Sequence, residues 1–99
     1  MVEVRYLVAA DKFIMSLESR YQSAITADRD QIAEMGFKAP VSAKSITGKS
    51  PMWEVKNGGY RTFFFIDNRV LWVLHSCKKQ DQKHGMRLAT ERMKTLRGR

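Results

Sequence analysis

One cysteine, two prolines and no long apolar run constrain this 99-residue chain before any motif is read. The lone Cys77 cannot close an internal disulfide, and a reducing cytoplasm suits a protein built without one. Runs such as Phe63–Ile66 and Val70–Leu74 fall far short of the ~20 residues that a spanning helix needs, so no bilayer crossing is expected. At the N-terminus, Met1-Val2-Glu3-Val4-Arg5 has no basic stretch leading into a long apolar one, and no secretory signal is expected either. Acids are scarce, 10 against 18 Lys and Arg, which leaves a formal charge of +8. What the chain does have is ordinary apolar content, 43%, enough for order but only for one core, so residues 1–99 are expected to form a single domain.

The positive charge is uneven. Residues 1–50 carry 7 Lys and Arg against 6 acids, whereas residues 51–99 carry 11 against 4. A localised cationic field attracts phosphates and speeds encounter with polyanions, which points to nucleic acid or the ribosome ahead of a mere solubility surface.

Val2, Val4 and Tyr6 alternate with Glu3 and Arg5, the period of a strand with one buried face. From Asp11, a candidate cap, apolar residues recur at Phe13, Leu17, Tyr21, Ala24, Ile25, Ile32 and Met35 with helical spacing, and Gly36 supplies a stop. As one rod this segment would run ~37 Å. A domain of this size has a radius of gyration near ~13 Å, so a helical hairpin is expected, hinged in the polar cluster Ser19–Ser23. Residues 37–51 hold both prolines and no period, and read as a long loop whose Lys38, Lys44 and Lys49 are candidate functional cations and whose Ile46 is a candidate tack to the core. Three strand-like runs follow, Met52–Lys56, Tyr60–Ile66 and Val70–Cys77, separated by the turn signals Asn57-Gly58-Gly59 and Asp67-Asn68. Met86, Ala89, Met93 and Leu96, opposed by Arg87, Arg92, Lys94 and Arg97, make a basic amphipathic helix. The expected fold is α+β, a small antiparallel sheet with an N-terminal helical hairpin and a C-terminal helix, in the order βααβββα.

His75, Cys77 and His84 could in principle ligate zinc, but they lack a tightly spaced fourth ligand. Cys77 and His75 share a strand face, yet no orienting acid accompanies them as a nucleophile and base would require. Cations are the plentiful group. Lys56, Arg61, Lys78, Lys79, Lys83 and Arg87 cluster around strand ends and the start of the last helix, interleaved with Trp53, Tyr60 and His84. Phosphate-binding cations beside flat rings suit single-stranded RNA better than duplex reading. Against this stands a plainer reading. With Asn57-Gly58 as a two-residue turn, Glu54 faces Arg61 in an ordinary cross-strand ion pair, and Trp53 and Trp72 are core residues.

Met52–Asp67, with its Trp-Glu-Val-Lys-Asn-Gly-Gly-Tyr-Arg core, then Val70–Lys79, ending Leu-His-Ser-Cys-Lys-Lys, then an amphipathic helix, resemble the RelE/ParE toxin superfamily. The nearest branch is the HigB-like, phage-derived toxins; the resemblance covers residues 45–97 well and the helical hairpin in outline. It implies a toxin of a type II toxin-antitoxin system that enters the ribosomal A site and cleaves messenger RNA without metal or other cofactor. Arg61 is then the phosphate-stabilising residue, Lys56 the basic residue before the turn, and Lys78 and Lys79 further catalytic or phosphate-binding cations. Lys49, Trp53, Tyr60, Lys83 and Arg87 would contact RNA. Met52 and Glu54 stand where related nucleases have lysines, which leaves Glu54 and His84 as candidates for the general base. The implied partners are the ribosome, messenger RNA and a cognate antitoxin, acidic or of the helix-turn-helix, HigA-like kind. On the same fold a ParE-like inhibitor of DNA gyrase is the alternative, and a non-toxic nucleic-acid-binding module a third.

Overall fold

Nearly continuous burial along the central strands, rather than alternation, marks a sheet covered on both faces. The computed structural model describes residues 3–35, 52–98 and the backbone of 43–45. The elements are β1 (Glu3–Tyr6), α1 (Val8–Met15), α2 (Ser19–Met35), β2 (Ala43–Ser45), β3 (Met52–Asn57), β4 (Tyr60–Asp67), β5 (Val70–Lys78), a 3-10 turn (Lys79–Asp81) and α3 (Gln82–Arg97). In space the strands run β1-β5-β4-β3-β2. The α+β architecture and the order of its main elements are as expected. The sheet, however, is mixed: β1 lies parallel to β5, with Glu3 opposite Val70 and Tyr6 opposite Val73. A parallel neighbour needs a long crossover, and α1, α2 and the β2–β4 segment supply it. Residues 43–45 also pair with β3, so the segment read as loop contains a short edge strand.

One face of the sheet presents Trp53, Val55, Phe64, Leu71 and Val73 to Ala10 and Ile14 of α1 and to Ile25 and Ile32 of α2. The other presents Met52, Phe63, Phe65, Leu74 and Cys77 to Ala89 and Met93 of α3. The helical segment does break, but at residues 16–18 rather than within Ser19–Ser23. Ser16 and Leu17 close α1 with backbone bonds to Phe13 and Ile14, both 3.1 Å, and the Gln22 side chain caps the freed Leu17 carbonyl at 2.7 Å. Asp11 is not the cap: α1 starts three residues earlier, after Leu7, and Asp11 sits in its first turn. Met35 is exposed, at the end of α2. Gly36, Lys38, Ile46 and Lys49 lie outside the described residues.

A β-bulge sets which β5 side chains meet α3. Phe63 pairs with His75 and Phe64 with Val73, so Leu74 has no partner on β4. The extra residue keeps both Leu74 and His75 on the α3 side. There α3 approaches closely: a Cβ added at Gly85 would lie 2.7 Å from the Cys77 Sγ and 3.1 Å from the His75 Cδ2. Gly85→Ala is therefore expected to destabilise. Overpacking costs about 1–3 kcal/mol, against the ~1 kcal/mol that alanine gains over glycine in a helix, so the urea midpoint should fall with an unchanged slope.

Candidate functional site

Arg61 is the second residue of β4, at the β3–β4 hairpin. The turn is Gly58-Gly59, with Gly58 at φ +58°, so Asn57 pairs with Tyr60 and Lys56 with Arg61. An Asn57-Gly58 turn would instead have put Glu54 across from Arg61; Glu54 pairs with Phe63 and is a diagonal neighbour of Arg61 on the same face. The expected ion pair is absent. Arg61 is 6% exposed, and its Nη1 donates to the Gly58 and Tyr60 carbonyls at 2.9 Å each. Among the described residues its buried Nε has no hydrogen-bond partner and no carboxylate pairs with the guanidinium. A buried cation of this kind is costly unless an anion completes it.

Glu54 is also buried, 2% exposed, and one of its oxygens accepts a short hydrogen bond from the Gln82 side chain. This bond anchors the start of α3 to β3. A second tie joins the same two regions through the backbone, since Lys79 N–H donates to the Gly59 carbonyl at 2.8 Å. The two Arg61–carbonyl bonds, the Gln82–Glu54 bond and the Lys79–Gly59 bond thus fix one end of the sheet, and Lys56, Lys78, Lys79, Lys83, His84 and Arg87 are exposed.

Farther along the same face lies a residue whose role the sequence did not suggest. Arg92 reads as part of the solvated face of α3, but it is half-buried and its Nη1 donates to the Leu74 carbonyl at 2.8 Å and to the His75 Nδ1 at 2.9 Å. Leu74 is the residue that the bulge leaves without a register partner on β4, and the guanidinium bonds its carbonyl. Because Arg has only donors, His75 must accept at Nδ1 and carry its proton on Nε2. Burial pushes the His75 imidazole below its ordinary value, and Arg92 and His84 add repulsion. The Cys77 thiol is pushed up, first by burial and then by Asp81 and Glu54, which makes it a packed sulfur rather than a ready thiolate.

A pH dependence follows from His75. The unfolded chain takes up a proton near the ordinary value of 6.5 and the folded chain only below it. Stability is then full above that value and declines as pH falls from it toward the lowered folded value, because the unfolded state binds more protons in that window. Urea midpoints at about pH 7.5 and about pH 5.5 should differ in this sense, and His75→Asn, which keeps an acceptor facing Arg92, should shrink the difference.

A profile of the family described as phage derived protein Gp49-like matches residues 12–94. The chain belongs to that family. Curated protein sequences give no match. Among solved structures, a free-state mutant of the E. coli toxin RelE superposes with a TM-score of 0.75 at 17% identity, over 92% of this chain and 96% of that one. The toxin-antitoxin complex RelBE of E. coli gives 0.65 at 18% identity over 79% and 96%, and the RelB-RelE antitoxin-toxin complex of Methanococcus jannaschii 0.66 at 9% over 80% and 94%. This Gp49-like chain therefore has the RelE toxin fold.

On that fold the expected residues separate into two groups. Lys56 and Arg61 are register partners, Cys77 pairs with Arg61, and Gln82 brings the first turn of α3, with Lys83 and His84, to the same end. Trp53 and Tyr60 do not join them. Trp53 is 4% exposed in the core under α1 and α2, on the face opposite to Arg61, so its ring is no platform for a base. Tyr60 is half-buried against Tyr21 and Phe13, with ring centroids 4.8 and 6.1 Å away, and pins the hairpin tip to the helices. Among the described residues no three His, Cys, Asp or Glu side chains converge as a metal site.

Proposed function

We propose that this Gp49-like protein is the toxin of a type II toxin-antitoxin pair and cleaves messenger RNA in the ribosomal A site. One observation carries the reading: the Arg61 guanidinium, buried, fixed by the Gly58 and Tyr60 carbonyls and, among the described residues, without a carboxylate partner, is a preformed seat for a phosphate. The RelE neighbours solved with antitoxins support a partner protein here, and the cationic rim suits an acidic or helix-turn-helix, HigA-like antitoxin that masks it.

In this reading the ribose 2′-oxygen attacks phosphorus while its proton passes to a base. The P–O5′ bond breaks and the departing oxygen takes up a proton, leaving a 2′,3′-cyclic phosphate and a 5′-hydroxyl. Negative charge grows on the non-bridging oxygens, where a fixed guanidinium stabilises the transition state more than the ground state. Lys56 flanks Arg61, and Lys78 and Lys79 hold the neighbouring phosphates at the strand end. His84, exposed in the first turn of α3, is the accessible proton carrier, while Glu54 acts through Gln82 to position that turn. Lys83 and Arg87 extend the cationic track along α3, and Lys49 is proposed to join it.

Purified protein added to ribosomes programmed with a defined message tests this. Cleavage at the A-site codon, and none of the same RNA without ribosomes, is the expected result. An intact message together with loss of gyrase supercoiling activity would replace the reading with the ParE-like one. Neither effect, and no growth arrest on overexpression, would leave a binding module.

A further inference from the structure

At the far end of the sheet from Arg61, a cleft of about 300 Å³ is lined by Arg5 of β1, Asp67, Asn68, Val70 and Trp72 of the β4–β5 hairpin, and Leu96 of α3. Trp72 lies roughly 17 Å along β5 from Cys77, so the cleft is separate from the cationic site. Its walls are set. Asn68 and Arg69 adopt φ +48° and +65°, the tight two-residue turn of a hairpin, and the Glu3 N–H donates to the Arg69 carbonyl at 2.9 Å, tying the turn to β1. The Arg5 guanidinium lies over the Trp72 ring, 5.5 Å from its centroid. Paired among the described residues only with Glu3, and 54% exposed, the Arg5 side chain can lift from the ring without breaking a buried contact.

We infer that this cleft binds an unpaired guanine base of single-stranded RNA. The inference rests on the RNA-directed reading above and adds to it a base-selective subsite. A flat base needs an aromatic face below and tolerates a guanidinium plane above, and Trp72 and Arg5 provide both. The polar edge then decides which base. Among the described residues no cation pairs with Asp67, and its carboxylate accepts only. Guanine presents two adjacent donors on its Watson–Crick edge, N1–H and N2–H, that match a carboxylate, and its O6 accepts from the Asn68 amide. Adenine offers an acceptor at N1, which a carboxylate repels; cytosine and uracil stack over less area.

The purified protein is titrated with GMP, AMP, CMP, UMP and inorganic phosphate while tryptophan emission is followed. Saturable quenching by GMP, about tenfold tighter than by AMP, is expected, with no effect of phosphate. Asp67→Asn should erase the preference for GMP over AMP, and Trp72→Phe should abolish the quenching, because the remaining Trp53 is sealed in the opposite core. Absence of saturable quenching, equal response to AMP, the same response to phosphate alone, or unchanged quenching in Trp72→Phe would each overturn the inference. Running the titration on Arg61→Ala as well separates it from the cleavage reading. Cleavage lost with quenching kept touches only the first site, and quenching absent from a protein that still cleaves sinks only this one.

Discussion

Replacing Arg61 by alanine is expected to abolish growth arrest and to lower the rate of message cleavage by about 10²–10³-fold, the usual cost of removing one preorganised group from the seat of developing charge. The substitution also removes two hydrogen bonds to turn carbonyls, so about 1–3 kcal/mol of stability should go with it. That loss is set partly against relief of an uncompensated buried cation. Circular dichroism and capture by the cognate antitoxin separate a folded, inactive protein from an unfolded one. Arg61→Lys offers a second check: it keeps the charge but not the fork that holds both carbonyls, so it should fold and recover only a small part of the rate. Full toxicity in Arg61→Ala would sink the nuclease reading.

Trp53→Ala is expected to be the most damaging substitution for stability, costing about 3–5 kcal/mol, because a large ring is removed from the core between β3 and the helical hairpin. Chemical denaturation measures it, using antitoxin-bound protein if the free variant does not fold. Trp53→Phe, which keeps most of the volume, should fold and retain cleavage. A Trp53→Phe variant that is fully stable yet loses RNA binding would instead return the ring to the stacking role that the sequence pattern allowed.

Much of the architecture can be read from residue order because its signals are local. Strand-like runs bounded by glycine or asparagine turns place β3, β4 and β5 within one residue of their observed ends. The break between α1 and α2 follows from chain length alone, but its position depends on the Ser16 and Gln22 bonds, which no periodicity carries. Register is subtler. Three residues, Asn57-Gly58-Gly59, can form either of two turns, and the choice between them exchanges a Glu54–Arg61 pair for Lys56–Arg61. On that one-residue difference hangs whether Glu54 faces Arg61 directly or leaves it, among the described residues, without a carboxylate partner. The parallel docking of β1 on β5 joins residues nearly seventy positions apart and leaves no local trace. Nor does the bulge at Leu74, which draws Arg92 inward although its place on the helical wheel reads as solvated. The candidate site residues that lie together in sequence part onto two faces: Arg61 and Lys56 share one side of the sheet, while Trp53 and Tyr60 lie on the other.

The central claim is that the Arg61 end of the sheet cleaves messages held by the ribosome. Mapping 5′ ends of cellular messages after brief induction, for the wild-type chain and for Arg61→Ala, tests it most directly. New ends bearing 5′-hydroxyls, clustered within translated codons, absent from untranslated RNA and lost in Arg61→Ala, are the predicted result. Messages that stay intact while growth stops, or ends that persist unchanged in the Arg61→Ala variant, would contradict it.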